Sequence, residues 1–329
     1  MQAIVLVGGE GTRLRPLTDT VPKPALTLVD RPFLAYMIEW LGAHGVTEAV
    51  LACGFLPDRL REALGEGQHE GVALTYVVEP ERRGTAGAIR FAADALGEGL
   101  QDRFLALNGD VLADLDLTAL QAAHHNAGAR ATLALHPVED AGAYGLVSLD
   151  AEGGVLEFLE KTGEAAPGEI NAGAYVLERS VLDLIAPDRE VSIEREVFPR
   201  LAGAGLQGLR LDGYWMDIGT PERYLQASWD ILEGRVRTRV RPTAPGLLVA
   251  TGADVATGAT VGPRAVVSGG CRVAAGATVR ESVLLHGCTV EAGVRVSGSV
   301  LAPGVTVEAG AELVDAVVGE DERVLAQAP

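Results

Sequence analysis

The sequence predicts two differently built parts: an α/β half with a mostly parallel sheet covered by helices, followed by a β-helix. Between residue 3 and about residue 230, short β-branched or apolar runs alternate with amphipathic helical patterns, the signature of strands joined by crossover helices. After about residue 240 the helical pattern stops, and Val249, Val255, Val261, Val267, Val273 and Val279 recur every six residues with Gly and Ala filling much of the space between. A short fixed period with one aliphatic residue per repeat marks a hexapeptide β-helix, in which each turn stacks its aliphatic side chains on the next.

The elements follow in order. Ala3 to Val7 reads as a buried strand. Pro32 stands at a first helical turn, Leu34, Met37, Ile38 and Leu41 keep helical spacing, and Gly45 closes the helix before strand Ala49 to Cys53. Strand Ala73 to Val78, a helix from about Ala86 to Leu96, strand Phe104 to Leu107 and a helix from about Leu117 to Asn126 continue the alternation. The six-residue repeat persists less regularly through Val290, Val296, Val305 and Val307. Val240 to Gly246, with Pro242 and Pro245, reads as a linker. The expected organisation is an α/β domain over 1–235, a linker over 236–246 and a β-helix over 247–329.

Composition excludes several classes. With 48% hydrophobic and 22% charged residues among 329, the chain is neither disordered nor fibrous. A formal net charge of −18 leaves no broad cationic footprint for nucleic acid or an anionic membrane, so positive groups for an anionic ligand must be local. No stretch approaches about 18 uninterrupted apolar residues, and a cytoplasmic location is expected, with neither nucleic acid nor membrane as partner. Cys53, Cys271 and Cys288 are widely spaced without a CxxC pattern, which suits small buried side chains rather than a disulfide framework or a zinc site.

The strongest local signal directly follows the first strand: Gly8-Gly9-Glu10-Gly11-Thr12-Arg13-Leu14-Arg15-Pro16-Leu17-Thr18. Three glycines let backbone N–H groups approach phosphate oxygens, and Arg13 or Arg15 adds a planar, permanently charged fork. The same glycines would also serve a plain tight turn. The spacing matches neither GxxxxGK[ST] nor GxGxxG before a helix, because Pro16 and Pro22 keep the segment extended. Pro22-Lys23-Pro24 then holds a lysine between two prolines that aim its ammonium group.

This run, with Gly9 to Thr18 followed by Pro22-Lys23-Pro24, resembles the signature of the sugar nucleotidylyltransferases, which join a nucleoside triphosphate to a sugar 1-phosphate and release pyrophosphate. The resemblance covers essentially the whole chain, because members nearest the mannose-1-phosphate guanylyltransferases also carry a C-terminal hexapeptide β-helix. It implies a Rossmann-like nucleotidyltransferase domain followed by a left-handed β-helix. It also implies nucleotide contacts from Leu6, Gly8, Gly9, Gly11, Thr12, Arg13 and Lys23.

Asn108-Gly109-Asp110 follows an apolar strand, which puts Asp110 at the carboxyl edge where α/β ligands bind; an Asp there is also a common turn former. Tyr214-Trp215-Met216-Asp217-Ile218-Gly219-Thr220 supplies a second carboxylate. Two hard oxygen ligands with phosphate oxygens and water suit Mg²⁺, and the resemblance assigns the metal to Asp110 and Asp217, with Asn108 beside the nucleotide. Glu160-Lys161 resembles the family's EK motif, implying a sugar contact from Glu160 and a sugar-phosphate contact from Lys161, alongside Asn171 in Asn171-Ala172-Gly173 and Gly145 against the sugar. Ser192 to Pro199 also resembles a family landmark and reads as structural, a capped helix start with Glu196 three residues after Ile193.

The stretch Glu79 to Gly87 resembles the guanylyltransferase pattern, in which pyrimidine-specific relatives usually carry Gln at the place of Glu79, and the resemblance implies nucleotide contacts from Glu79, Gly84 and Thr85. Guanine presents donors at N1 and N2, which an acceptor-only carboxylate satisfies, so GTP is the expected triphosphate unless Glu79 faces solvent. Catalysis then rests on positioning and charge neutralisation by Arg13, Lys23 and Lys161. Mannose 1-phosphate is implied by resemblance alone. Thymidylyl- or uridylyltransfer to glucose 1-phosphate, or guanylyltransfer to a heptose phosphate, are the alternatives within the class. A non-catalytic regulatory subunit would lack cations such as Arg13, Lys23 and Lys161, which are present. An acyltransferase would need a basic histidine, and this half offers only His286 on few coils. The β-helix is expected to serve stability and homo-oligomer assembly.

Overall fold

The computed structural model describes residues 1–142, 144–160 and 166–326. The chain divides into two compact units, one of residues 1–9 and 37–215, the other of residues 10–36 and 216–329.

The first unit is built on a ten-stranded mixed sheet. At its centre Gln2–Val7 lies between Arg103–Asn108 and Glu48–Cys53, with Val72–Val78 beyond, all parallel. These strands are nearly continuous apolar runs because both faces are covered: Ile4, Val50, Phe104 and Ala106 are fully or almost fully buried. Helix Gly84–Leu96 packs Ala86, Ile89, Ala92 and Ala93 into the same cluster. Register decides where the chain leaves the sheet. Leu6 stands opposite Asn108, Val7 opposite Cys53, and Cys53 opposite Val78. Gly8, Gly54, Glu79 and Gly109 therefore emerge level at one carboxyl edge.

The rest of the sheet is mainly antiparallel. The eleven-residue strand Gly168–Glu178 runs against Arg103–Asn108, Ala131–Val138 and Gly145–Leu149, which in turn pairs with Val155–Glu160. Leu206–Arg210 adds parallel to Ala131–Val138. The sequence alternation describes the parallel half only. Element limits also differ slightly: the helix expected from Pro32 begins at Phe33, because Arg31–Pro32 is held extended in a short antiparallel pair with Thr27–Leu28.

Helix Leu117–Ala127 is fixed to the sheet by a buried polar network. Fully buried His124 sits 2.8 Å from Thr132 Oγ1 through Nδ1 and 3.0 Å from Glu178 Oε1 through Nε2. A carboxylate only accepts, so the neutral ring carries its proton on Nε2 and Thr132 donates to Nδ1. Arg103 Nε donates to the same Glu178 oxygen at 2.6 Å.

In the second unit, residues 247–324 form three parallel ladders, one strand of each per coil. Register partners lie 18 residues apart in the first step, Leu247 on Ala265 and Thr260 on Thr278, and 17 in the next, Ala265 on Ser282 and Arg272 on Thr289. The strict six-residue period therefore lapses after Val279, since the corner from Val279 to Leu284 is one residue shorter than that from Val261 to Val267. Val273, Val279, Val290 and Val307 still point inward and are buried. Cys271 and Cys288, stacked one coil apart, are buried, and their thiols donate to Leu285 O at 3.0 Å and Ala302 O at 3.2 Å. Among the described residues no helix is long and apolar enough to cross a membrane.

Burial holds the His124 pKa below its ordinary value, overcoming the opposing pull of Glu178. The unfolded chain therefore takes up this proton first, near the ordinary histidine value of about 6.5, and the stability the neutral ring contributes is present above that pH and lost as pH falls below it. Urea unfolding at pH 7.5 and 5.5 is expected to show a smaller acid loss of stability for His124→Gln than for the unaltered chain; equal losses would place the effect elsewhere.

Candidate active site

The carboxyl edge of the parallel strands gathers several of the expected residues in the first unit. Gly109 N–H donates to Leu6 O at 2.9 Å, tying the turn after Asn108 to the end of the first strand. A methyl group on Gly8 would lie 3.7 Å from Glu79 Oε1 and 3.6 Å from Gly54 N, so the Glu79 carboxylate stands over the glycine loop. Burial raises the Glu79 pKa, while the Arg83 N–H and charge pull it back. Gly9 and Asp110 are exposed. The Asn108 side chain rests against Gly173, where an added Cβ would come 2.9 Å from Nδ2, and Asn108 Oδ1 is buried without a hydrogen-bond partner.

The expected sugar residues lie along the antiparallel part. Gly145 pairs with Glu160 across the strands. Asn171 turns its own strand: Oδ1 accepts from Gly173 N at 3.0 Å and Nδ2 donates to Tyr175 Oη at 2.8 Å, at the point where register shifts. Lys161 and the Glu160 side chain lie outside the described part of the structure.

Gly84 and Thr85 have a different setting. The Thr85 hydroxyl donates to Glu194 at 2.8 Å and accepts from Ile193 N at 2.8 Å, and the Ala86 and Gly87 N–H groups donate to Val191 O. This helix start is satisfied by the Val191–Glu194 segment. Ser192 caps that segment by accepting from Arg195 N at 3.3 Å, while Glu196 accepts from Ser192 N at 3.1 Å, a reciprocal cap as the sequence suggested.

The remainder of the loop belongs to the second unit. It is not extended throughout: residues Thr12–Leu14 and Lys23–Ala25 form short 3₁₀ turns. Gly11 starts the first at φ +64°, a left-handed conformation that costs an L-residue strain, and its carbonyl accepts from Thr18 Oγ1 at 2.9 Å. Arg15, directly before Pro16, stays extended. Thr12 and Arg13 are exposed. Arg15 turns to Asp19 at 3.2 Å and Glu10 at 4.0 Å, which leaves Arg13 as the loop's guanidinium beside Asp217.

Asp217 is the centre of this half. Lys23 Nζ, its side chain only 7% exposed, lies 3.6 Å from Oδ1, and Arg13 Nη2 and Arg223 Nη1 lie 3.9 and 3.7 Å from Oδ2. Lys23 also lies 5.8 Å from the Phe33 ring centroid. The Arg13 guanidinium lies against Gly219, where an added Cβ would come 2.6 Å from its Nη2, so a larger residue there would shift the guanidinium. Such loose charge contacts exceed the roughly 2.7–2.9 Å of a charge-assisted hydrogen bond, so the cations are gathered but not closed onto the carboxylate.

A family model described as nucleotidyl transferase matches residues 2–234, and one described as the GMPPB C-terminal domain matches residues 243–328. The chain belongs to the nucleotidyl transferase family. Among curated relatives, a mannose-1-phosphate guanylyltransferase of Mycobacterium tuberculosis is 39% identical over 300 residues, spanning 85% of this chain and 83% of its own length. A mannose-1-phosphate guanyltransferase of Schizosaccharomyces pombe is 37% identical over 83% of this chain and 74% of its own length. Among solved structures, HddC from Yersinia pseudotuberculosis aligns with a TM-score of 0.62 and 26% identity over 70% of this chain and 99% of that one; it has also been solved in complex with GMP-PN, with a TM-score of 0.61.

For a nucleotidyl transferase, the donor set bears on a metal. Among the described residues no cluster of three or more His, Cys, Asp or Glu could hold an ion on protein ligands alone. Mg²⁺ asks for less, one or two carboxylates completed by phosphate oxygens and water. Asp217 Oδ1, buried without a hydrogen-bond partner, fits that demand. Sequence reasoning missed Arg223 and an aromatic group in the first unit, where Trp215 stacks on His136 at 5.8 Å, meets Tyr144 edge-on at 5.4 Å and donates to Ala172 O at 2.9 Å. The signal was present in Tyr214-Trp215, read only for its downstream Asp.

Because Gly219 makes room for Arg13, Gly219→Ala is expected to lower nucleotidyl transfer by about 10- to 100-fold through misplacement of one charge, with little change in the urea unfolding midpoint. Near-normal turnover in steady-state kinetics would show that the position of Arg13 is immaterial.

Proposed function

We propose that the enzyme transfers a guanylyl group from GTP to mannose 1-phosphate, giving GDP-mannose and pyrophosphate. The observation that carries the choice of base is the Glu79 carboxylate over the glycine loop. It supplies acceptors for guanine N1–H and N2–H, where an amide would suit a pyrimidine. The choice of sugar rests on the relatives named above, which match this chain over most of its length.

In this reading an oxygen of mannose 1-phosphate attacks the α-phosphorus of GTP in line, the bond from that phosphorus to the bridging oxygen breaks, and pyrophosphate leaves with the electron pair. A phosphate is already a nucleophile at neutral pH, so the protein's part is to position and neutralise. Arg13 and Lys23 balance charge on the triphosphate as it develops toward pyrophosphate, and Lys161 holds the attacking phosphate. Mg²⁺ on Asp110 and Asp217, when bound, would supply further neutralisation of the phosphate oxygens. Leu6, Gly8, Gly9, Gly11 and Thr12 present backbone to the nucleotide with Asn108 beside them, while Gly145, Glu160 and Asn171 face the sugar. Gly84 and Thr85 serve the nucleotide indirectly, by holding the segment after Glu79.

We take residues 1–235 as the catalytic part and 247–329 as a module for stability and homo-oligomer assembly. The three buried thiols are unpaired, as suits a cytoplasmic enzyme.

Pyrophosphate release with Mg²⁺ is expected to favour GTP plus mannose 1-phosphate over UTP or dTTP plus glucose 1-phosphate, and to stop with EDTA. Lys23→Ala and Asp110→Asn are each expected to lose on the order of 100-fold in kcat, and Glu79→Gln to narrow the GTP preference. Release with pyrimidine triphosphates alone would remove the role given to Glu79; no release with any pair would favour a regulatory nucleotide-sugar-binding protein.

A further inference from the structure

The segment that carries Arg13 and Lys23 folds with the β-helix: residues 10–36 and 216–329 make one compact unit. Within it the β-helix touches this segment at its last coil. Thr20 Oγ1 donates to Glu320 Oε2 at 2.7 Å across 300 positions of sequence. Beside this bond, Gly319 is buried, and a methyl group added to it would stand 3.5 Å from Pro16 Cβ, so the turn over 319–322 and the Pro16 ring are packed neighbours.

The turn that makes these contacts departs from the repeat. The four equivalent turns on the coils below read Thr251-Gly252, Gly269-Gly270, His286-Gly287 and Pro303-Gly304, each with its glycine at positive φ; the last reads Glu320-Asp321, with Asp321 at φ +59°. Asp321 N–H donates to Pro303 O at 2.9 Å, as Gly304 N–H does to His286 O, so the backbone of the stack continues unchanged. Stacking therefore asks for no carboxylate at position 320. A polar terminal coil suits capping of a repeat, but capping does not require a bond to Thr20.

From Thr20 a continuous run of local bonds leads to Arg13. Asp19 holds Arg15 at 3.2 Å and donates its N–H to Pro16 O at 3.1 Å; Leu17 N–H donates to Leu14 O at 3.0 Å, and Leu14 N–H and Thr18 Oγ1 each donate to Gly11 O at 2.9 Å. Leu14 and Leu17 are buried, which leaves Arg13 displayed on the exposed side of a fixed turn. The opposite end of the stack holds the other side of this site. Arg264, ahead of the strand Ala265–Val267, donates through Nε to Glu233 Oε1 at 2.8 Å, directly after helix Pro221–Leu232, whose start follows Asp217 and Gly219.

We propose that the last coil of the β-helix is a positioning brace for the triphosphate loop, with Glu320 and Gly319 acting through Thr20 and Pro16 to hold Arg13 in place. The assignment rests on the nucleotidyl-transfer reading above and gives the β-helix a part in the reaction beyond stability and assembly. Glu320 and Thr20 are positioning residues that touch no substrate. Both are exposed, so their bond adds little to global stability, and its loss reads placement of the loop and not folding.

In the full-length protein, Glu320→Ala and Thr20→Val are each expected to speed deuterium uptake by residues 11–20 and to weaken binding of Mg²⁺-pyrophosphate in calorimetric titration, each by about fivefold, the loss of one hydrogen bond to a carboxylate. KM for GTP should rise to match, while KM for mannose 1-phosphate stays within about twofold. Glu320→Gln keeps an acceptor and should retain most of the binding. The double variant should be no worse than either single one, because both act through one contact. Unchanged deuterium uptake overturns the proposal, and so does faster uptake with unchanged pyrophosphate binding. A joint rise in KM for both substrates with a lowered melting temperature also rejects it, marking general damage to the β-helix. Were the unaltered chain to turn over no substrate pair, the proposed function would fail; faster uptake with weaker pyrophosphate binding in Glu320→Ala would still uphold the brace, and equal binding would reject it.

Discussion

The in-register parallel pairing of Gln2–Val7 with a strand on each side is the constraint on which the first unit depends. Parallel strands need crossover connections and covered faces, so apolar runs and helices follow from it. Because the strands end level, four chain reversals crowd one edge, and the backbone can close there only where side chains are small. Gly8 and Gly54 meet, Gly109 tucks its N–H under Leu6, and Glu79 brings a carboxylate next to Gly8. The site is a consequence of how the sheet terminates.

Electrostatics divides the labour differently in the second unit. An acidic protein that handles phosphates has to concentrate its cations locally. Here a buried lysine and two arginines are held around one aspartate at 3.6 to 3.9 Å. Small residues again set the geometry, Gly11 by reversing the loop next to Lys23 and Gly219 by admitting the Arg13 guanidinium. The β-helix needs none of this precision. Its repeating ladders bury aliphatic side chains coil on coil, and a corner shortened by one residue changes the period without breaking the stack.

The sequence by itself determined the periodicities and the local chemistry. A six-residue valine repeat admits one kind of stack, a buried apolar run ahead of a glycine loop ends at a ligand edge, and the Ser192 to Glu196 spacing closes its own cap, because each depends on residues a few positions apart. Only the tertiary structure decided which polar groups remain available. Arg13 and Arg15 are equivalent on paper; Asp19 and Glu10 take Arg15, and Gly219 admits Arg13. Thr85 sits in a motif that suggests a ligand, yet Ile193 and Glu194 occupy its hydroxyl from more than 100 positions away. Arg223 gave no signal until residues 13, 23, 217 and 223 met around one carboxylate. Such partnerships arise from packing between distant segments, and no local pattern encodes them.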